Sequence, residues 1–78
     1  MPRGLQPVQK RTLTQEAFDQ LVAYLQDGTH RPGDALPSQQ ELADQLGVSR
    51  PVLREAMQRL EAAGLGEIRH GSGSYVAH

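Results

Sequence analysis

The chain lacks the features that mark disulfide-rich, secreted or membrane-spanning proteins. Its 78 residues include no cysteine, which excludes a disulfide and a thiolate metal site. The longest apolar run, LVAYL at residues 21–25, is far shorter than the ~20 residues of a membrane span. The N-terminal sequence MPRGLQPVQKR has no apolar segment after its charged residues. We therefore expect one small cytoplasmic domain with no secretory signal and no membrane partner.

Residue patterns for catalysis are also absent from the sequence. The histidines, at positions 30, 70 and 78, have neither the spacing nor the cysteine partners of a metal site. The stretch GSGS at residues 71–74 does not open a helix after a strand, as a phosphate-binding loop would. We predict that the chain is not an enzyme and that it uses no cofactor and no metal ion.

Positive charge is scarce, because 8 lysines and arginines face 9 acids and the net charge is −1. Nucleic-acid-binding domains are usually basic, so this total counts against that function. Six of the nine acids, however, lie in the first two predicted helices and the loop that joins them. Any binding of nucleic acid is expected to depend on a few placed contacts and on salt concentration. Residues 48–72 carry arginine at positions 50, 54, 59 and 69 and glutamate at positions 55, 61 and 67.

Residues 38–64 contain the strongest structural pattern in the chain. Ser38 and Glu41 have the spacing of a capping box, which predicts the start of a helix at about 38–46. Gly47 follows this helix and tolerates the left-handed conformation that commonly ends one.

Another helix, at about 49–63, follows with almost no linker. Ser49 is a good N-cap, and Pro51 fits the first turn, where its missing N–H breaks no helical bond. Apolar residues recur along one face, whereas Arg50 and Arg54 lie on another. Two helices joined by so short a turn predict a helix-turn-helix. The apolar face consists of Leu53, Ala56, Met57, Leu60 and Ala63.

An N-terminal helix is expected at about 14–27, after a flexible arm at residues 1–11. Thr12 and Thr14 are alternative N-caps, and the sequence leaves this choice open. Gly28 is expected to end the helix. The predicted apolar face consists of Leu13, Ala17, Phe18, Leu21, Val22 and Leu25.

A β-hairpin is predicted at about 66–77, because the β-prone residues Ile68 and Tyr75 flank a glycine-rich link. Residues 35–36 could add a third, edge strand. A hairpin directly after a helix-turn-helix forms the wing of a winged helix. The predicted fold over residues 12–78 is therefore mainly α: a winged helix-turn-helix with three helices and a two- to three-stranded antiparallel sheet.

The stretch LPSQQELADQLGVSRPVLREAMQRLEAAGLGEIRHGSGSYV resembles the DNA-binding domain of the GntR family of bacterial transcription regulators. The resemblance runs from about Leu13 to Val76 and is closest to the FadR-type branch. It implies sequence-specific binding of double-stranded DNA, with the third helix in the major groove and the wing in the minor groove. It also implies a homodimer on a pseudo-palindromic operator, joined through a C-terminal effector domain that these residues do not contain.

Arg50 and Arg54 are the main candidates for contact with bases. They lie one turn apart near the start of the third helix, the part of a recognition helix that enters the major groove. Arginine can there donate two hydrogen bonds to guanine. The alternative is two solvated arginines, with Arg54 paired to Gln58 or Glu61. The resemblance favours DNA, because the matching arginines of the family contact bases or adjacent phosphates.

Three neighbours of these arginines are further candidates. Ser49 could cap the helix and also hold a phosphate through the free N–H groups beside it. Pro51 and Val52 occupy positions that face the groove in the family. Val52 could contact a thymine methyl group, or it could pack only against its own helix.

The wing tip, formed by His70, Gly71 and Ser72, matches the part of the family's wing that enters the minor groove. The basic residue that the family often carries near Ser72 is missing here. Gln40 stands where many relatives carry an arginine that contacts DNA. Gln40 could still donate a neutral hydrogen bond to phosphate, but a charge is lost.

Two glutamates near these sites are predicted to have no role in binding. Glu55 is assigned a structural role, in which it pairs with Arg59 or meets the first helix. Glu67 and Arg69 are expected to alternate outward as a solvated face of the wing.

Rival functions remain open. A winged helix can also bind another protein, and the net negative charge and the uncharged Gln40 are consistent with that function. A fragment of an enzyme is a third alternative, because some GntR-type domains are fused to aminotransferase-like domains. The operator, the effector and the choice between repressor and activator are not given by the sequence. We expect these 78 residues alone to be largely monomeric and to pair on DNA.

Overall fold

The computed structural model describes residues 12–78, and the predicted arm at residues 1–11 lies outside them. Three helices precede an antiparallel pair of strands, as the sequence predicts. The elements are α1 (Leu13–Leu25), α2 (Gln39–Leu46), α3 (Arg50–Ala62), β1 (Gly66–Arg69) and β2 (Gly73–Val76).

Helix α1 begins after Thr12, whose side-chain Oγ1 accepts the Gln15 N–H at 3.0 Å. This decides between the two candidate caps, since Thr14 lies inside the helix and is buried. The helix ends at Leu25, two residues before the predicted end. The reason is local: the backbone of Gln26, the C-cap, has φ −99° and ψ 10°, outside the helical range, so Gly28 lies in the turn beyond the helix.

The turn between α2 and α3 is as short as predicted. Both hydrogen bonds of the Ser38–Glu41 capping box are present, at 3.1 and 3.3 Å. Gly47 has φ 69° and ψ 32°, the left-handed conformation, and only Val48 separates it from the N-cap Ser49. Because an L-residue with a side chain is strained in that conformation, glycine is what allows α3 to start immediately after α2.

The core is built around α3, whose Leu53, Met57 and Leu60 are the largest fully buried side chains. Burying each of these contributes about 1.5–3 kcal/mol. Two residues of the predicted apolar faces lie outside the core. Leu13 is 59% exposed, because it starts α1 at the edge of the bundle, and Ala63 is the exposed C-cap of α3. The remaining buried apolar residues are Ala17, Leu21, Leu42, Ala43 and Ala56.

The wing is a two-stranded hairpin that is tied to the rest of the domain at its base. Gly66 pairs with Val76, and a Cβ on Gly66 would lie 3.1 Å from Leu60 Cδ2, so β1 packs tightly on α3. The suggested third strand is a single bridge between Ala35 and Tyr75. The Leu36 N–H donates to the Ser74 carbonyl at 2.8 Å beside that bridge. The sheet therefore holds the α1–α2 loop against the wing.

A chain of polar contacts joins α1 to α3 and gives Glu55 the structural role that was predicted. The Thr14 hydroxyl donates to Glu55 Oε1 at 3.1 Å. Arg59 lies 3.6 Å from Glu55 Oε2 and donates to Gln15 Oε1 at 3.2 Å. Because Thr14 is buried, its bond to Glu55 fixes the position of α3 against α1 next to Arg54.

Candidate nucleic-acid interface

The N-terminal half of α3 presents an exposed, positively charged surface. Ser49, Arg50, Pro51 and Arg54 are exposed, and Val52 is half-buried. Within residues 12–78, the Arg50 and Arg54 guanidinium groups have no hydrogen bond and no ion pair. An arginine fork without an internal partner keeps all five N–H donors for a ligand. We call the surface formed by these five residues the α3 face.

Among residues 12–78, Arg54 has no bond to Gln58 or Glu61, the partners that the alternative of solvated arginines gave it. The Glu61 carboxylate accepts the Ile68 N–H at 3.2 Å, at the start of the wing. The ion pair on this helix is the one that joins Arg59 to Glu55. Two arginines of the same helix therefore differ in their contacts. Arg59 is bonded to Glu55 and to Gln15 of α1, whereas Arg54 has no partner among residues 12–78.

Ser49 performs the capping role that was predicted. Its side-chain Oγ accepts the Val52 N–H at 3.3 Å. The Oγ also lies beside the first amides of α3, where the partial positive charge of a helix N-terminus favours an anion. A phosphate contact by Ser49 stays a prediction.

Gln40 lies in the first turn of α2 and is exposed. Its side-chain Nε2 donates to Asp44 Oδ1 at 2.9 Å. The amide group keeps one further N–H, but a carboxylate stands next to it and would repel a phosphate. Gln40 therefore lacks the positive charge that many relatives have at this position, and the negative charge of Asp44 lies one turn further along the helix.

The wing tip is exposed, as predicted for His70, Gly71 and Ser72. The Ser72 N–H closes the turn by donating to the Arg69 carbonyl at 3.1 Å. The Ser72 side chain is already engaged, since its Oγ lies 2.6 Å from the hydroxyl of Tyr75. The His70 ring makes no hydrogen bond to any residue from 12 to 78.

Two residues beside the tip were missed as candidates. Arg69 was expected on a solvated face, but its guanidinium carbon lies 4.1 Å from the centroid of the Tyr75 ring. Arg69 also donates to Glu67 Oε1 at 3.2 Å. The alternation of Glu67 and Arg69 was visible in the sequence, whereas their proximity to Tyr75 follows from the strand register.

The predicted residues form two groups, the α3 face and the wing tip, with Gln40 outside both, and they do not converge on one pocket. An open groove of about 500 Å³ lies between the wing and the start of α2. The wing tip lines this groove together with Ser38 and Gln39, and the α3 face does not. In the part of the chain that the structure describes, no cluster of histidine and acidic residues is placed to hold a metal ion. Across the same residues, none of the helices combines the length and apolar character that crossing a membrane requires.

Three helices, a three-residue turn between the last two and a following hairpin define a winged helix-turn-helix domain. Over residues 13–76 the chain matches the family described as "Bacterial regulatory proteins, gntR family", and it belongs to that family.

Several relatives and solved structures show the same assignment. The HTH-type transcriptional regulator Mce2R of Mycobacterium tuberculosis is 52% identical over 87% of the chain and 28% of its own length. The Uxu operon transcriptional regulator of Escherichia coli is 39% identical over 83% of the chain and 27% of its own length, and it agrees with the FadR-type branch. The chain thus spans less than a third of these relatives. A structure titled AraR(DBD) in complex with operator ORR3 covers 99% of the chain and 93% of its own, with a TM-score of 0.82 and 26% identity.

Proposed function

We propose that residues 12–78 bind double-stranded DNA sequence-specifically, as the DNA-reading domain of a bacterial GntR-type transcription regulator. The observation that carries this proposal is the α3 face, where Arg50 and Arg54 lie one turn apart with no partner among residues 12–78. The membership of the gntR family and the similarity to a DNA-binding domain titled as an operator complex support it.

In the proposed complex, α3 lies in the major groove with its N-terminal half against the bases. Arg50 and Arg54 donate to guanine O6 and N7, each fork accounting for about 1–3 kcal/mol of discrimination. Ser49 and the first amides of α3 meet a phosphate, and Val52 lies beside a thymine methyl group. Pro51 packs along the groove wall.

The wing is proposed to follow the minor groove with His70, Gly71 and Ser72 at its tip. Gln40 supplies a weaker contact at the start of α2. Few of these groups are charged, and the net charge of the chain is −1. Affinity therefore depends on a small number of placed contacts, and it falls less steeply with salt than that of a strongly basic domain.

The wider assembly is also a proposal, because the chain spans less than a third of its curated relatives. We place it in the cytoplasm within a regulator that pairs on a pseudo-palindromic operator through a C-terminal effector domain. Two-fold pairing would bring two α3 faces to two half-sites, and specificity would then rest on both. No catalytic role is proposed.

Selection of bound sequences from a random duplex library, at two salt concentrations, tests the proposal. The unmodified chain should enrich one half-site, and the double variant Arg50→Ala, Arg54→Ala should enrich none. Arg59→Gln is a control that removes one positive charge from the same helix, at an arginine engaged by Glu55 and Gln15. It should enrich the same half-site as the unmodified chain. No enrichment by the unmodified chain, or equal loss in the control, would contradict the proposal.

A role in contact with another protein is the second candidate, and the Gln40–Asp44 hydrogen bond favours it. An acid beside the start of α2 weakens attraction to phosphate without affecting a protein interface. The double variant discriminates between the two functions, because a DNA reader loses its ligand and a protein adaptor keeps its partner.

A further inference from the structure

The outer face of the wing carries a small cluster that the strand register creates. Glu67 pairs with Tyr75, and Arg69 pairs with Gly73. Side chains alternate across a strand, so Glu67, Arg69 and Tyr75 share one face of the hairpin. The residue between Gly73 and Tyr75, Ser74, points to the other face and is buried.

The Tyr75 ring holds the Arg69 guanidinium in a defined place. The guanidinium carbon lies 4.1 Å from the ring centroid, within the range of a cation–π contact. One of its N–H donors meets Glu67 at 3.2 Å. The Arg69 side chain is 44% exposed and has further N–H donors beyond the one that meets Glu67. The cation is therefore held beside the ring and partly exposed, and a phosphate would compete with the Glu67 carboxylate for it.

The same ring is joined to the wing tip through its hydroxyl. The Tyr75 hydroxyl lies 2.6 Å from Ser72 Oγ and donates to the Ser72 carbonyl at 3.2 Å. Either hydroxyl can be the donor in the short bond, and in both cases the Ser72 Oγ is already engaged by Tyr75. Arg69 supplies the charged donors next to the tip, where the His70 ring also has no hydrogen bond to any residue from 12 to 78.

We propose that Arg69 is the cationic contact of the wing with a DNA backbone phosphate and that Tyr75 is the positioning residue that holds it there. This rests on the proposed DNA-binding function. Arg69 supplies, from strand β1, the positive charge that the sequence lacks near Ser72. The hydroxyl pair joins Tyr75 to the tip, while the ring itself makes the contact with Arg69.

The test compares the 78-residue chain with single variants by fluorescence anisotropy, over roughly 50–200 mM salt. The probes are the selected duplex and an unrelated duplex. Arg69→Gln should weaken binding to both duplexes by the same factor, about tenfold at low salt, because a phosphate contact carries no sequence information. The slope of log K against log salt should become shallower by about 0.9 for each phosphate that the variant no longer touches. Arg31→Gln, an equal charge change in the α1–α2 loop, should leave the slope unchanged.

Two tyrosine variants separate positioning from a merely structural role. Tyr75→Phe keeps the ring under Arg69, so the salt slope should match that of the unmodified chain. Tyr75→Leu removes the ring, and its slope should match that of Arg69→Gln. In the Arg69→Gln background, Tyr75→Leu should have little further effect on binding, since the two act through one contact. Thermal unfolding of each variant shows whether the fold is retained.

Each outcome bears on one claim. Arg69→Gln behaving like Arg31→Gln would overturn the wing contact, and so would a loss confined to the selected duplex. If Tyr75→Leu weakens DNA binding by the same factor in the unmodified chain and in the Arg69→Gln variant, the positioning role of Tyr75 is overturned. These results leave the proposed function standing, provided that the unmodified chain selects a sequence through Arg50 and Arg54. Failure of that selection contradicts the proposed function itself, while the Arg69 comparison can still be read from the unrelated duplex.

Discussion

The α3 face and the wing both carry arginine and serine, but they hold these side chains in opposite ways. On the α3 face, Arg50 and Arg54 have no partner among residues 12–78. On the wing, Arg69 is held by Tyr75 and Glu67, and Tyr75 is bonded to Ser72. The difference matches two kinds of DNA contact. Reading a base needs an arginine fork that can turn to meet two acceptors, whereas a phosphate contact only needs a charge in the right place.

This contrast has an energetic side. A free arginine loses side-chain entropy when it binds, about 0.5–1.5 kcal/mol for each immobilised side chain. The wing arginine has lost part of that freedom in the unbound protein, so ordering it on DNA costs less. We therefore expect the α3 face to supply discrimination between sequences and the wing to supply affinity that is nearly independent of sequence.

The largest expected effect comes from a direct comparison of two arginines on α3. Arg54→Gln should relax preference at one base pair of the half-site, by about 1–3 kcal/mol. Arg59→Gln should keep that preference and lose a little thermal stability, because it breaks partly exposed contacts to Glu55 and Gln15. Competition binding with single-base variants of the duplex measures both. A changed base preference in the Arg59 variant would contradict the proposed difference between Arg54 and Arg59.

An intermediate effect is expected at the base of the wing. Gly66→Ala places a Cβ 3.1 Å from Leu60 Cδ2, and Leu60 is fully buried. Overpacking of this kind costs about 1–3 kcal/mol of stability and displaces the strand. Chemical denaturation should show the loss. If the wing acts as proposed, the variant binds with a shallower salt dependence and an unchanged base preference. A changed preference would mean that the wing also reads sequence.

The smallest expected effect separates the two serines. Ser49→Ala removes the N-cap of α3 and should cost about 1 kcal/mol of stability. Ser72→Ala removes only the exposed bond to Tyr75 and should change stability by less than about 0.5 kcal/mol. Thermal unfolding of the two variants tests this order. A larger loss from Ser72→Ala would show that the tip stabilises the fold and not only the position of Tyr75.

Most of the helix-turn-helix could be predicted, because its determinants lie within a few residues of each other. Ser38 and Glu41, three positions apart, form the capping box that starts α2. Gly47 ends α2 in the left-handed conformation that glycine adopts without strain. The same local reasoning placed the end of α1 two residues late. It relied on Gly28, although the backbone had already closed the helix at Gln26.

The α3 face was predicted from helical spacing, whereas the wing cluster was not. Arg69 meets Tyr75 only because one particular pairing of β1 and β2 brings them together, and no spacing in the sequence states that pairing. The Gln40–Asp44 bond is a different case. It joins residues four apart on one helix, so helical geometry alone could have predicted it.

The most direct test of the central claim removes one acceptor from the DNA and one donor from the protein. Guanines of the selected half-site are replaced one at a time by 7-deazaguanine, which lacks the N7 acceptor, and the affinities of the unmodified chain and of Arg54→Gln are compared. The claim predicts that one replacement weakens the unmodified chain by about 0.5–1.5 kcal/mol, less than a whole bidentate contact because O6 remains, and has no further effect on the Arg54 variant. Equal weakening of both proteins at every guanine would contradict it.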